Sequence, residues 1–150
     1  IVDVRGQNGM MVTFHKNNPA IPFDFETEES DGTRVLFRLM LGIMNAVDKG
    51  KLLIVDEIES SLHTKLVEFI IGMFHKSKNA QLLYTTHNTH LLNMHRVRRD
   101  QVCFVNKTND GCSDLYSLYD YKDFRDTMDL EKAYLQGRFD AIPYILNQND

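Results

Sequence analysis

Asp56 and Glu57 directly follow the aliphatic run Leu52-Leu53-Ile54-Val55. Two adjacent carboxylates in that place can do phosphate chemistry. One suits Mg2+ held through water, and its neighbour can orient or deprotonate a water beside a phosphate. A short aliphatic run without alternation predicts a strand buried on both faces, and groups at its C-terminal end project where open α/β sheets bind ligands. The plain alternative is a charged strand end running into a loop. A second polar group, Thr85-Thr86-His87-Asn88, closes the next apolar run. An imidazole there can hydrogen-bond a phosphate and respond to its presence, although His87 taken alone reads as an ordinary loop histidine. A third candidate is Glu29-Ser30-Asp31-Gly32-Thr33. Ser30 or Asp31 there is the natural N-cap of a helix. The same geometry offers a hydroxyl, a glycine N–H and a helix dipole to an anion. Both readings stay open at this point.

These residues need elements to position them. From Thr33 the apolar residues Val35, Leu36, Leu39, Met40, Ile43, Met44 and Val47 share one side of a 3.6-residue period, and Gly50 stops that helix. Thr64 to His75 predicts a second helix with Leu66, Val67, Ile70, Met73 and Phe74 inward, and Gln81 to Thr86 a second strand. Strand, helix and strand in succession form a βαβ unit, hence a parallel sheet. Parallel neighbours carry Asp56-Glu57 and His87 to the same edge. Upstream, Ile1 to Arg5 and Met10 to Phe14 flank Gly6-Gln7-Asn8-Gly9 as a hairpin, and Asn17-Asn18-Pro19 with Pro22 predict an irregular connection. Downstream, Gln101 to Val105 and Leu115 to Leu118 flank Asn109-Asp110-Gly111 as a second hairpin. A last helix, about Met128 to Gln136, buries Leu130, Ala133 and Tyr134 and ends at Gly137.

The 150 residues carry 17 Lys and Arg against 21 Asp and Glu, a net charge of −4. With 43% hydrophobic and 25% charged residues, the composition is globular and excludes disorder. The length suits a single domain, 1–150. No apolar run approaches the roughly 20 residues of a membrane span, and no targeting segment is visible. Cys103 and Cys112 cannot make a disulfide framework, so a reducing cytoplasm is the simpler expectation. Mild acidity excludes a general nucleic-acid binder. The basic cluster His95-Arg96-Val97-Arg98-Arg99 either touches nucleic acid or, more plainly, is a solvated turn. His87, His90 and His95 suggest zinc, but no nearby Cys or carboxylate completes a tetrahedral set. Cys103 should alternate inward, and Met40 and Met44 should fill core. The chain opens at Ile1 in strand-like sequence, as a piece of something longer would.

In their order, the three polar groups resemble the C-terminal half of an ABC-type ATPase head, of the SMC/RecF kind rather than the transporter kind. Ser30-Asp31-Gly32-Thr33 is similar to a signature motif of S-x-G-T form, and Leu52 to Glu57 to a Walker B strand. Ser60-Ser61-Leu62-His63 stands at the D-loop position and His87 at that of the switch histidine. Ser30 precedes Asp56 by 26 residues and Glu57 precedes His87 by 30, which fits one helix and one βαβ step. The relatives resembled most are ATP-binding proteins of bacterial phage-defence and abortive-infection systems. Their tail is similar to Arg99-Asp100-Gln101-Val102 and to Ala133-Tyr134-Leu135-Gln136-Gly137-Arg138-Phe139 with Ala141-Ile142-Pro143. Ile58 replaces the transporters' Pro and His63 their D-loop Asp, a form usual in the defence-type relatives. No G-x-x-x-x-G-K-[ST] occurs, because Asn45 stands five positions before Gly50 and Leu52 follows Lys51.

The resemblance implies the parallel-sheet α/β core of a P-loop NTPase with flanking helices and hairpins, here without the Walker A lobe that lies N-terminal in the family. It implies ATP and Mg2+, and a homodimer that sandwiches nucleotide. Asp56 would serve the metal through water, Glu57 would polarise the attacking water, and His87 would hold it in line with the γ-phosphate. Ser30, Gly32 and Thr33 would reach ATP bound by the partner, and Ser60 and Ser61 would link the two sites. The isolated chain would not hydrolyse ATP. An effector nuclease or toxin is the implied further partner. Two other readings compete. Asp56-Glu57-Ile58-Glu59 with Thr85-Thr86-His87 also passes for a RecA-like helicase motor, and the scaffold could serve as a non-catalytic interaction module.

Overall fold

The computed structural model describes residues 2–7, 10–92, 97–108, 110–125 and 127–142, with side chains from Met11 onward. Two compact units divide the chain after Asn88. The first opens with an antiparallel sheet in the order β1 (Val2–Gln7), β2 (Met10–His15), β3 (Asn18–Asp24). β1 and β2 pair antiparallel as expected, but Gly6 and Gln7, expected in the turn, belong to β1, and β3 stands where Asn18, Pro19 and Pro22 predict an irregular connection. Among the described residues it pairs only with β2, as an edge strand, and an edge tolerates prolines that cannot donate to a ladder.

Helix α1 spans Asp31–Lys49 and starts two residues before the expected Thr33, because Ser30 is its N-cap. The Ser30 hydroxyl accepts from the Thr33 N–H at 3.2 Å. Gly50 closes the helix with φ 63°, a left-handed conformation that costs glycine little. Ile43 and Ala46 are buried, whereas Met44 is 53% exposed and does not fill core as expected. A 3.6-residue stripe this broad has margins, and Met44 lies on one.

β4 (Leu52–Val55), α2 (Thr64–Lys76) and β5 (Gln81–Tyr84) form the βαβ unit, with β4 and β5 parallel and Val55 opposite Tyr84. Helix α2 buries Val67, Ile70, Ile71 and Phe74. β5 stops two residues short of Thr86, where the Thr86 hydroxyl accepts the Asn88 N–H at 3.0 Å as the chain turns away. The expectation that β4 is buried on both faces is wrong. Leu53 and Val55 are half-buried on the helix side, where Gly42 of α1 approaches Leu53, but Leu52, Ile54 and Leu83 are 54%, 67% and 58% exposed. An aliphatic run reports a tolerance for burial. Which layers cover it depends on elements elsewhere.

In the second unit β6 (Cys103–Lys107) and β7 (Ser113–Ser117) pair antiparallel, each set about two residues nearer the turn than the expected Gln101 to Val105 and Leu115 to Leu118, and α3 spans Leu130–Leu135, shorter than the expected Met128 to Gln136. Its core joins Val102, Phe104, Leu118, Phe124, Leu130, Ala133 and Phe139. Phe104 and Phe139 stack with ring centroids 4.8 Å apart. Cys103, expected inward, faces out, because the larger Phe104 takes the core side of a strand whose side chains alternate. Tyr134 is half-buried beside Phe104. Ile1, Asn8, Gly9, His95, Arg96, Asn109 and Pro143 lie outside the described residues. Among the described residues no helix is long and apolar enough to cross a membrane.

Candidate functional site

The parallel register places Asp56 one step beyond Val55 and Thr85 one step beyond its partner Tyr84. Thr85 uses every polar group it has there. Its N–H donates to the Val55 carbonyl at 3.1 Å, and its carbonyl accepts from Ile58 N–H at 3.1 Å. Its hydroxyl accepts the Glu57 N–H at 2.8 Å and donates to Asp56 Oδ1. The carboxylate pair is therefore braced from the neighbouring strand. Ile58, buried to 1% exposure, anchors the turn beneath it.

Glu57 itself has φ 46°, in the left-handed region that costs a non-glycine residue about 1–2 kcal/mol. Its N–H is held by Thr85, and its carbonyl accepts from Ser60 N–H at 2.8 Å. A second turn follows, Leu62 N–H to Glu59 carbonyl at 2.9 Å, with Ser61 at φ 58°. Two successive turns thus present Ser60 and Ser61 exposed, and His63 then caps α2 by accepting the Lys65 N–H at 3.2 Å. Strained backbone held by its surroundings gathers at functional sites.

His87 Nε2 lies 3.7 Å from Glu57 Oε1, an ion pair only when the ring is protonated. Between exposed side chains such a pair stabilises by about 0–1 kcal/mol, so this spacing does little for the fold. The His87 backbone is held more firmly, its N–H donating to Glu59 Oε1 at 2.5 Å. Burial would raise the Glu59 pKa, but the Thr86 hydroxyl and the His87 N–H outweigh it and hold the carboxyl below its ordinary range. Asn88 Nδ2 then donates to Thr64 Oγ1 at 2.9 Å, tying the segment after β5 to the start of α2.

The third group sits at the N-terminus of α1. Ser30 and Thr33 hydroxyls are 2.9 Å apart. A Cβ on Gly32 would lie 2.9 Å from the Ser61 carbonyl oxygen, so Gly32 abuts the turn after β4. Just upstream, Glu29 is buried. It accepts from the Thr13 hydroxyl and pairs with His15 Nε2 at 2.9 Å. The Thr13 hydroxyl, against the opposing effect of burial and with help from His15, holds its carboxyl below the ordinary range.

The structure therefore brings Asp56, Glu57 and His87 together and sets Gly32 against Ser61. Among the described residues no hydrogen bond joins Ser30 or Thr33 to the carboxylate pair. Thr85, Glu59 and Glu29 stand inside motifs that the sequence singles out, but the sequence assigns none of them a role of its own. Aligning the ends of the two parallel strands would have found Thr85. Nothing local shows the partners of the other two, which lie 28 and 16 residues away.

The family model described as "AAA domain, putative AbiEii toxin, Type IV TA system" matches residues 6–93, more than half of the 150. The chain belongs to this AAA family. Its match runs from the first hairpin through His87, and the likeness at Arg99–Val102 and Ala133–Phe139 lies beyond it. Comparison with curated proteins gave no match. Membership makes the region nucleotide-binding and ATPase-type in its coarse function.

The side chains fit part of what such a domain requires. Asp56 and Glu57 are exposed oxygen donors at a sheet edge, and among the described residues no cluster of three or more His, Cys, Asp or Glu could cage a metal. Mg2+ is usually held in this open manner, by one or two carboxylates with water and substrate phosphate. The phosphate cradle of an AAA domain has no counterpart in the sequence, which lacks the Gly-rich Walker A motif.

Proposed function

We propose that the chain is the part of an ABC-type ATPase head that carries the signature motif, Walker B, D-loop and switch histidine. It would work with a Walker A segment that this sequence does not contain. The observation that supports the reading most is the brace of Thr85 on Asp56 and Glu57 at the parallel sheet edge, with His87 at 3.7 Å. Phosphoryl transfer needs little covalent help from a protein, and positioning and charge supply most of the rate.

Bound MgATP would supply the electrophilic phosphorus and the metal's charge. Asp56, oriented by the Thr85 hydroxyl, would hold the metal through water. Glu57 would accept a hydrogen bond from the attacking water and draw off its proton. At 3.7 Å His87 and Glu57 are too far apart for a good direct hydrogen bond and close enough for one oxygen lying to their side to meet both. Ser30, Gly32 and Thr33 open a helix of 19 residues, whose N-terminal N–H groups and dipole favour an anion. They would meet the γ-phosphate of ATP held by a partner subunit, with Ser60 and Ser61 at the junction of the two sites. A homodimer closed on ATP, in a bacterial defence system and controlling an effector nuclease or toxin, is the assembly this reading entails.

The test uses the protein in which this chain accompanies its Walker A segment. Glu57→Gln should abolish ATP hydrolysis while ATP-dependent dimers persist in light scattering. Unchanged turnover would remove Glu57 from the chemistry. A crosslink from Ser30 to ATP held by its own subunit, rather than by the partner, would sink the sandwich arrangement.

A further inference from the structure

We infer that Glu59 is a positioning residue for His87, holding the backbone from which the imidazole reaches Glu57; the inference rests on the role proposed above for His87. The His87 side chain is 87% exposed, so packing does not set its place. Its backbone is what the structure fixes. The His87 N–H donates to Glu59 Oε1 at 2.5 Å across 28 residues of sequence. Hydrogen bonds to an ionised acceptor are shorter and roughly twice as strong as neutral ones.

Glu59 is well placed to serve as a fixed point. It is half-buried, follows the buried Ile58, and its carbonyl accepts from Leu62 N–H at 2.9 Å. Its carboxyl, held below the ordinary range, stays ionised at neutral pH. Three ties therefore flank the imidazole. Thr85 joins β5 to the carboxylate pair, Glu59 holds the His87 N–H, and Asn88 bonds to α2. Of the three, only the Glu59 bond acts on His87 itself. It joins the turn after β4 to the segment after β5, so the distance between imidazole and Glu57 depends on it. Glu59 is assigned no contact with nucleotide. It acts through His87.

The experiment uses the protein that carries this chain with its Walker A segment, as wild type, Glu59→Ala, Glu59→Gln, His87→Ala and the double alanine variant. Glu59→Ala should lower kcat by about 10- to 100-fold with KM little changed, the cost of a misplaced group. Glu59→Gln keeps an acceptor oxygen and should stay within about threefold of wild type. In the His87→Ala background, Glu59→Ala should add less than about twofold, because residues that act as one unit are not additive. Independent losses that multiply would overturn the inference and leave Glu59 a structural residue. In 15N-histidine-labelled protein without nucleotide, the His87 amide proton should shift upfield in Glu59→Ala and hold its place in Glu59→Gln. An unmoved amide in the alanine variant overturns the bond itself. Full turnover by His87→Ala would instead overturn the catalytic reading of His87 and the functional sense of the Glu59 bond with it.

Discussion

Gly32, in the first turn of α1, and Ser61, in the turn after β4, meet so closely that a Cβ on Gly32 would stand 2.9 Å from the Ser61 carbonyl oxygen. Ser61 already sits at φ 58°, and backbone cannot give way as a flexible side chain can. Gly32→Ala should therefore destabilise the protein by about 1–3 kcal/mol through overpacking, read as a lower urea midpoint. Gly72 in α2 is the control. A Cβ there meets nothing within 4 Å, so Gly72→Ala should stabilise by about 0.5–1 kcal/mol through helix propensity. Equal midpoints for Gly32→Ala and wild type would refute the close approach.

The Thr85 hydroxyl carries two bonds that valine, of nearly the same shape, cannot make. Thr85→Val should cost about 1–2 kcal/mol, since the Glu57 N–H loses its acceptor. It should also slow ATP turnover at least about tenfold, each factor of ten marking ~1.4 kcal/mol of lost positioning. Thr85→Ser keeps the hydroxyl and should recover most of both. Similar losses in the serine and valine variants would mean that the methyl group, not the brace, matters.

Glu29 links stability to pH. Its folded pKa lies below the ordinary value of 4.5, so it binds a proton less readily folded than unfolded. Its contribution is therefore fully present above about pH 4.5 and is lost as pH falls through the depressed value. Denaturant midpoints followed through that acid window should fall for wild type and flatten in Glu29→Gln. Parallel slopes in the two proteins would show that the Thr13 and His15 contacts do not favour the ionised form.

Tyr116 tests the second unit. Its hydroxyl donates to the Phe139 carbonyl, and burial, with Tyr121 and Asp140 nearby, pushes its pKa up to about 12. A pKa raised by folding means that stability is kept below the unfolded value near 10 and lost as pH rises through about 12. Burial also raises Tyr84 and Tyr121, so titration of phenolate absorbance should show a late-ionising group of tyrosines, and Tyr116→Phe should remove the part of it at about 12. Tyr116→Phe should also cost about 1 kcal/mol for the lost bond, although Tyr121 Oη still reaches the same carbonyl at 3.4 Å.

The candidate site was legible in the sequence where its logic is local. Hydrophobic period, caps and turn residues revealed the helices of 31–49 and 64–76, both hairpins and the parallel pair. That pair alone brought Asp56, Glu57 and His87 to one edge. The Ser30 cap was likewise visible, as one of two readings. Other features depend on where distant segments meet, which no local pattern records. The Thr85 brace follows from strand register. The Glu59 bond to His87, the Gly32 contact with Ser61 and the burial of Glu29 between Thr13 and His15 join residues 14 to 29 positions apart. Edge position excused the prolines of β3, and the size of Phe104 turned Cys103 outward. The exposed faces of Leu52, Ile54 and Leu83 make the same point. An aliphatic strand is written into the sequence, but a strand face is buried only when some other element arrives to cover it.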